Sequence, residues 1–203
     1  MKINYQKVLD EILKEITAMQ KKPKLLLHSC CAPCSTYVIE YLVNYFDVNI
    51  LYYNPNIYPE EEYLKRKDEQ IRLINEIKQN ENIGIMDIEY ESEKFQQMAL
   101  GFEGEKEGGA RCANCFELRM KKTAEKAKEN EYDYFCTTLT VSPHKNAKKI
   151  NEIGELLEKE VGIKWLYSDF KKNEGYKKSI ELSKEYDLYR QDYCGCEYSF
   201  KTF

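Results

Sequence analysis

Apolar residues along this chain keep two alternating rhythms. Ile3, Val8, Ile12, Ile16 and Met19 recur near helical period and predict a helix over residues 3–20. The short apolar run "KLLLHS" predicts a buried strand, and "STYVIEYLVNYF" a helix capped by Ser35 or Thr36. "DVNILYYNPNIYP" predicts a second strand ending in an Asn/Pro-rich loop, and "EEEYLKRKDEQIRLINEIKQN" an amphipathic helix. "IGIMDIEY" is the third predicted strand, "ESEKFQQMALG" a short helix and "FEGEKEGGA" a glycine-rich loop. "RCANCFELRMKKTAEKAKEN" reads as a helix and "YDYFCTTLT" as the fourth strand. "SPHKNAKKINEIGELLEKE" reads as a helix capped by Ser142, with Pro143 at its first position. "IKWLYSDF" is the fifth strand; "KKNEGYKKSIELSKEYDLY" and the cysteine-bearing tail "RQDYCGCEYSFKTF" close the chain.

Strands alternating with helices at this spacing predict an α/β fold: a doubly wound, mostly parallel five-stranded sheet with a helical, cysteine-containing C-terminal tail. The 203 residues suit a single domain with a sizeable core, spanning 1–203. In such sheets ligands bind outside the carboxyl ends of the strands. The cysteine turn after the first strand, "NPN" after the second, "SPHKN" after the fourth and "SDFKK" after the fifth all fall on that edge.

Composition narrows the setting. One residue in three is charged (33%), and no run approaches the roughly 20 apolar residues of a membrane span, so no membrane partner is expected. The first 20 residues contain no apolar segment of signal-peptide type, and a cytoplasmic setting is expected. The formal charge is −4, so contact with nucleic acid requires a local basic patch.

In a reducing cytoplasm, eight cysteines indicate metal or redox chemistry more than disulfides. Seven are clustered: Cys30, Cys31 and Cys34; Cys112 and Cys115; Cys194 and Cys196. Cys136 stands alone inside a predicted strand and reads as a small buried hydrophobe. Cys112 and Cys115, three apart on one helix, can reach one centre. A single zinc site needs only four ligands, and C-C-x-x-C and C-x-C are not zinc-ribbon spacings. A 4Fe–4S cluster takes four thiolates and leaves three for a further metal or for redox work. By spacing alone, iron–sulfur, zinc and thiol redox sites stay open. The turn S-C-C-A-P-C-S lacks the glycines of a phosphate cradle, which disfavours ATP there.

Taken together, "LHSCCAPCS", "NPNIYPEEEYLKR", "EGGARCANCFELRM", "TTLTVSPHKN", "SDFKK" and "YRQDYCGCEYS" resemble the cobalamin-independent epoxyqueuosine reductases of the QueH type. The resemblance runs from about residue 24 to residue 200. It implies a Rossmann-like fold akin to the adenine nucleotide α-hydrolases. It also implies a 4Fe–4S cluster beside a mononuclear iron, without cobalamin, and reduction of epoxyqueuosine to queuosine at the wobble position of tRNAs with GUN anticodons. Where the family often carries Ser or Thr, this chain has Cys136, which argues against Cys136 as a ligand.

The seven clustered cysteines are then the candidate metal ligands, with Asp169 as the candidate carboxylate and Asp192 as its alternative. Tyr193 and His144 are candidate proton donors. Lys145, Lys148, Lys149, Lys171, Lys172 and Arg111 are candidate tRNA contacts, with Lys177, Lys178 and Arg119 nearby. Their glutamate neighbours also fit a solvated helix face. Electrons would come from a low-potential donor such as ferredoxin or flavodoxin. The rival readings are an iron–sulfur redox sensor, a zinc-stabilised binding module and a reductase using Cys30 and Cys31 as a vicinal thiol pair. A sensor would need a DNA-reading element, which the sequence does not show.

Overall fold

The computed structural model describes residues 3–77 and 83–199. Among these, five strands, β1 (Lys24–His28), β2 (Asp47–Leu51), β3 (Ile85–Met86), β4 (Tyr134–Thr137) and β5 (Lys164–Trp165), form one sheet in the order β3-β2-β1-β4-β5. All four pairings are parallel. The order reverses beside β1, so the chain leaves the sheet at neighbouring strands in opposite directions and opens a crevice there. Leu25, Leu26 and Leu27 of β1 are completely buried, as expected for a central strand covered on both faces.

Among the described residues, seven helices cover the sheet: α1 (Tyr5–Thr17), α2 (Ala32–Leu42), α3 (Glu60–Glu76), α4 (Ser92–Ala99), α5 (Ala110–Glu129), α6 (Ala147–Val161) and α7 (Gly175–Glu185). α2 packs on α7 and α3; α5 packs on α6 and α4. The α6–sheet contact depends on Gly154, where a Cβ would lie 2.3 Å from the Trp165 indole.

Several boundaries differ from the sequence expectation, each for a local reason. α1 buries Tyr5, Leu9, Leu13 and Ile16, while Ile3 and Met19 lie outside it and exposed. α2 begins at Ala32, not after Ser35 or Thr36: Cys31 takes the cap position and Pro33 the first turn. Ser35 and Thr36 turn inward instead, donating to the carbonyls of Cys31 (2.9 Å) and Pro33 (3.1 Å). β4 ends at Thr137, whose hydroxyl accepts from the Leu139 N–H and starts a 3-10 turn over Thr138–Val141. α6 starts at Ala147, not near Ser142. Asn146 accepts from the Lys149 N–H at 3.2 Å, while Ser142 is used in a tight turn to the His144 N–H. β3 and β5 pair over two residues each, shorter than the expected 83–90 and 163–170. The end of the predicted helix over 60–80 and the last four residues of the tail lie outside the described residues.

Candidate functional site

His28 closes β1, level in register with Leu51 of β2 and Thr137 of β4. The next residues of all three strands therefore emerge side by side. The Ser29 N–H donates to Leu51 O at 2.9 Å, and the Cys30 N–H donates to Thr138 Oγ1 at 3.1 Å. This pins the cysteine turn to the sheet. Beneath it, Ser29, Ser35 and Gln70 form a buried hydrogen-bonded knot, and Asn54 donates to the Ser29 carbonyl at 2.9 Å.

The thiols of Cys30, Cys31 and Cys34 lie within 4.8 Å of one another. The Cys31 and Cys34 thiols donate toward Cys30 and pull its pKa well below the ordinary thiol value. Each donor is correspondingly harder to ionise: Cys31 is pushed up to about 12, and Cys34 is also raised. Three thiols this close hold one negative charge comfortably. Three thiolates would need a cation among them, which is what a metal-binding donor set demands.

The tail returns across α3 to complete the site. Arg66, buried in α3, donates to Glu62 at 2.7 Å and to the Cys194 carbonyl at 3.3 Å, and lies over the Tyr193 ring. Arg72 donates to the Tyr186 and Asp187 carbonyls, each at 3.0 Å, and Glu69 accepts from the Tyr189 N–H. The Tyr58 N–H donates to the Gly195 carbonyl at 2.8 Å. Cys194 and Cys196 are thereby brought toward the first turn of α5. Burial pushes Cys115 up to about 12 and Cys196 up to about 11. Cys194 bears on both, and Cys112 on Cys196.

Between the cysteine turn and the tail lies a cleft of about 820 Å³, lined by Cys30, Cys31, Cys34 and Cys194 among others. Among the described residues three cations line it, Arg119, Lys145 and Arg190. Arg119 is buried, 3.9 Å from Cys115 Sγ, and also hydrogen-bonds Asn54. Burial opposes the charge on Lys145, but the neighbouring Cys194, Cys30 and Cys34 outweigh it and raise its pKa. Both groups therefore stay protonated and offset negative charge on sulfur.

The cleft gathers some of the expected site residues and leaves others apart. His144, Lys145, Asp192 and Tyr193 line it with four of the cysteines. Asp169 does not line it and is paired with Lys171. Lys148 is exposed and paired with Glu152 at 2.7 Å, while Lys149 and Lys172 are exposed. Arg111 is buried, not presented to solvent. It donates to the carbonyls of Phe102 (2.8 Å) and Glu103 (2.9 Å) and lies over Tyr198, so it fastens the glycine-rich loop. Lone Cys136 is fully buried and donates to the Leu166 carbonyl at 3.4 Å. Arg66, Asn54, Asn56 and Gln191 were not singled out by sequence, although they stand inside "NPNIYPEEEYLKR" and "YRQDYCGCEYS".

Residues 25–202 match the family model described as epoxyqueuosine reductase QueH. The chain belongs to this family. The family match contains all seven clustered cysteines and the whole cleft. Among relatives, the epoxyqueuosine reductase QueH of Staphylococcus epidermidis is 46% identical over 202 residues, covering 98% of this chain and 85% of the relative. That of Streptococcus pyogenes is 43% identical over 202 residues, with 98% and 79% covered. The more distant QueH of Thermotoga maritima is 34% identical over 178 residues, with 86% and 89% covered. As a member of this family of oxidoreductases the chain is an enzyme.

Proposed function

We propose that this chain reduces epoxyqueuosine to queuosine at the wobble position of tRNAs with GUN anticodons. The observation that carries the reading is a cleft walled by thiols from the turn after β1 and from the returning tail. The overall change adds two electrons and two protons to the epoxide, leaving an alkene and water. We take residues 1–203 as one catalytic domain working in the cytoplasm, with electrons from a ferredoxin or flavodoxin.

Cys30, Cys31, Cys34, Cys112, Cys115, Cys194 and Cys196 would hold a 4Fe–4S cluster and a mononuclear iron. Asp192, on the cleft wall, is better placed than Asp169 to add a carboxylate. The donor set fits: grouped thiols that ionise together only around a cation are soft ligands of the kind iron and iron–sulfur clusters take. When bound, the cluster supplies single electrons and the iron acts as a Lewis acid on the epoxide oxygen.

The protein's own residues do the rest. Lys145 and Arg119 place fixed positive charge beside the sulfurs, where oxygen acquires negative charge as the C–O bond breaks. Tyr193 keeps its proton, because burial raises its pKa, and its hydroxyl donates to the Tyr58 carbonyl at 3.1 Å. His144 stands exposed at the cleft mouth. These two are the candidate proton donors. Lys148, Lys149 and Lys172 offer exposed positive charge near the same edge for tRNA phosphates.

The deciding experiment is anaerobic purification with iron and acid-labile sulfide analysis, paired with turnover of tRNA carrying epoxyqueuosine. Iron in excess of sulfide, with conversion to queuosine, supports the reading. A colourless, active zinc protein would replace it with the zinc alternative, and metal-loaded protein without turnover would leave a non-catalytic redox protein.

A further inference from the structure

The cleft wall contains two amide side chains whose hydrogen bonding is incomplete. Asn56 is only 2% exposed, and its Oδ1 has no partner among the described residues. Gln191 Oε1 is likewise buried and without a partner among them, while the same side chain donates toward the Cys31 thiol. Both residues line the cleft. A buried carbonyl oxygen left unpaired is costly in a folded protein, on the order of 1–3 kcal/mol, so such oxygens mark where a donor is expected to arrive.

We propose that Asn56 and Gln191 recognise the vicinal diol of the substrate's cyclopentane ring, each accepting one hydroxyl proton. The inference rests on the reading of the chain as an epoxyqueuosine reductase.

Three features favour the diol over the rest of the substrate. The Gln191 contact to Cys31 places its carbonyl beside the thiol group, at the reacting end of the cleft. In epoxyqueuosine the epoxide is flanked on the five-membered ring by one carbon of the diol and by the carbon that carries the amine, so an acceptor at that end lies within reach of the diol. Two unpaired acceptors match two hydroxyl donors. The other nearby donor, the protonated amine linking ring to base, carries a positive charge that the carboxylates Glu107 and Asp192, on the same wall, match better than neutral amides do. Holding the diol fixes the orientation of the adjacent epoxide toward the thiols, so these are specificity-determining residues for the reaction.

The test compares binding of two tRNAs by metal-loaded protein under anaerobic conditions. One carries queuosine, which keeps the diol; the other carries 7-aminomethyl-7-deazaguanosine, which lacks the ring. Unsubstituted protein is expected to bind the first more tightly. Gln191→Met and Asn56→Ala should each erase roughly tenfold of that preference while leaving affinity for the ring-less tRNA, iron content and sulfide content unchanged. Gln191→Glu, which keeps an acceptor oxygen, should retain more of the preference than Gln191→Met.

Equal binding of the two tRNAs by the unsubstituted protein would overturn the proposal. So would variants that weaken both tRNAs alike or that lose iron in step with affinity. If Asn56→Ala does not fold, Gln191→Met, on the tail, decides alone. Absence of turnover on epoxyqueuosine tRNA by the unsubstituted protein would instead remove the reductase reading itself. A turning-over enzyme indifferent to the ring removes only this inference.

Discussion

Arg66 Nη1 donates to the carbonyl oxygen of Cys194 across 3.3 Å, tying the tail to α3 over a separation of 128 residues. The same guanidinium is ion-paired with Glu62 and is only 2% exposed. Arg66→Ala leaves Glu62 without its cation and removes the tail's tie at Cys194. Breaking a largely buried pair of this kind costs about 3 kcal/mol. The expected outcome is lower stability in urea and reduced iron per chain after anaerobic reconstitution. Full iron content in a destabilised variant would mean that Cys194 is held in place by something other than Arg66.

Cys136 supplies an internal control. Its thiol already donates to the Leu166 carbonyl and lies 3.8 Å from Ser168 Oγ, so a serine hydroxyl finds a partner without rearrangement. Cys136→Ser should therefore keep its iron and its activity at a cost of about 1 kcal/mol or less, since the new hydroxyl is paired. Serine at Cys30, Cys31, Cys34, Cys112, Cys115, Cys194 or Cys196 should lower iron content or abolish epoxide reduction, because a protonated hydroxyl does not replace a thiolate ligand. Retention of iron and activity in both Cys194→Ser and Cys196→Ser would reduce the tail to a structural strap.

These two cases show what the sequence made legible. The five strands, the carboxyl edge as the location of the cysteine turn, and the isolation of Cys136 all follow from periodicity and spacing, which are local properties. The role of Arg66 does not: an arginine followed by lysine in a charged helix looks the same whether it faces solvent or a tail 128 residues away. Arg111 failed in the opposite direction. Its neighbourhood to Cys112 suggested phosphate contact, yet helix geometry turns it inward onto the Phe102 and Glu103 carbonyls. β5 is shorter than its apolar run because Leu166 and Phe170 are buried beyond the two residues that pair, Lys164 and Trp165. Asn56 and Gln191 are polar loop residues in sequence, and only burial distinguishes them.

The lysines divide into two groups that respond differently to salt. Lys148 and Lys149 are exposed, whereas Lys145 faces Cys194, Cys30 and Cys34 inside the cleft. Replacing Lys148 and Lys149 by Gln should weaken tRNA binding and reduce the slope of log K against log salt by up to about 2, one for each phosphate that is no longer neutralised. Lys145→Gln should leave that slope intact and lower kcat. A flattened slope in the Lys145 variant, with an unchanged slope in the double variant, would reverse the assignment.

Acid sensitivity is written into His28. The ring is completely buried; its Nε2–H donates to the Tyr53 carbonyl at 3.1 Å, and its Nδ1 faces the Thr137 hydroxyl at 2.8 Å. The carbonyl can only accept, so the neutral ring carries its proton on Nε2 and takes the Thr137 hydroxyl proton on Nδ1. That hydroxyl oxygen in turn accepts from the Leu139 N–H. Protonating Nδ1 would take away the acceptor of the Thr137 hydroxyl proton inside the core. Burial, with Arg119 adding to it, lowers the His28 pKa from 6.5 to about 3. A folded value below the unfolded one means that the unfolded chain takes up the proton first. The stability contributed is complete above about pH 6.5 and is lost as pH falls from there toward 3, with an upper limit of about 5 kcal/mol. Urea unfolding between pH 5 and 7.5 should show stability rising with pH at up to ~1.4 kcal/mol per pH unit below 6.5. His28→Gln, which can still donate to Tyr53 but does not titrate, should be less stable at pH 7.5 and much flatter below 6.5. Parallel pH profiles for the two proteins would show that the acid sensitivity arises elsewhere.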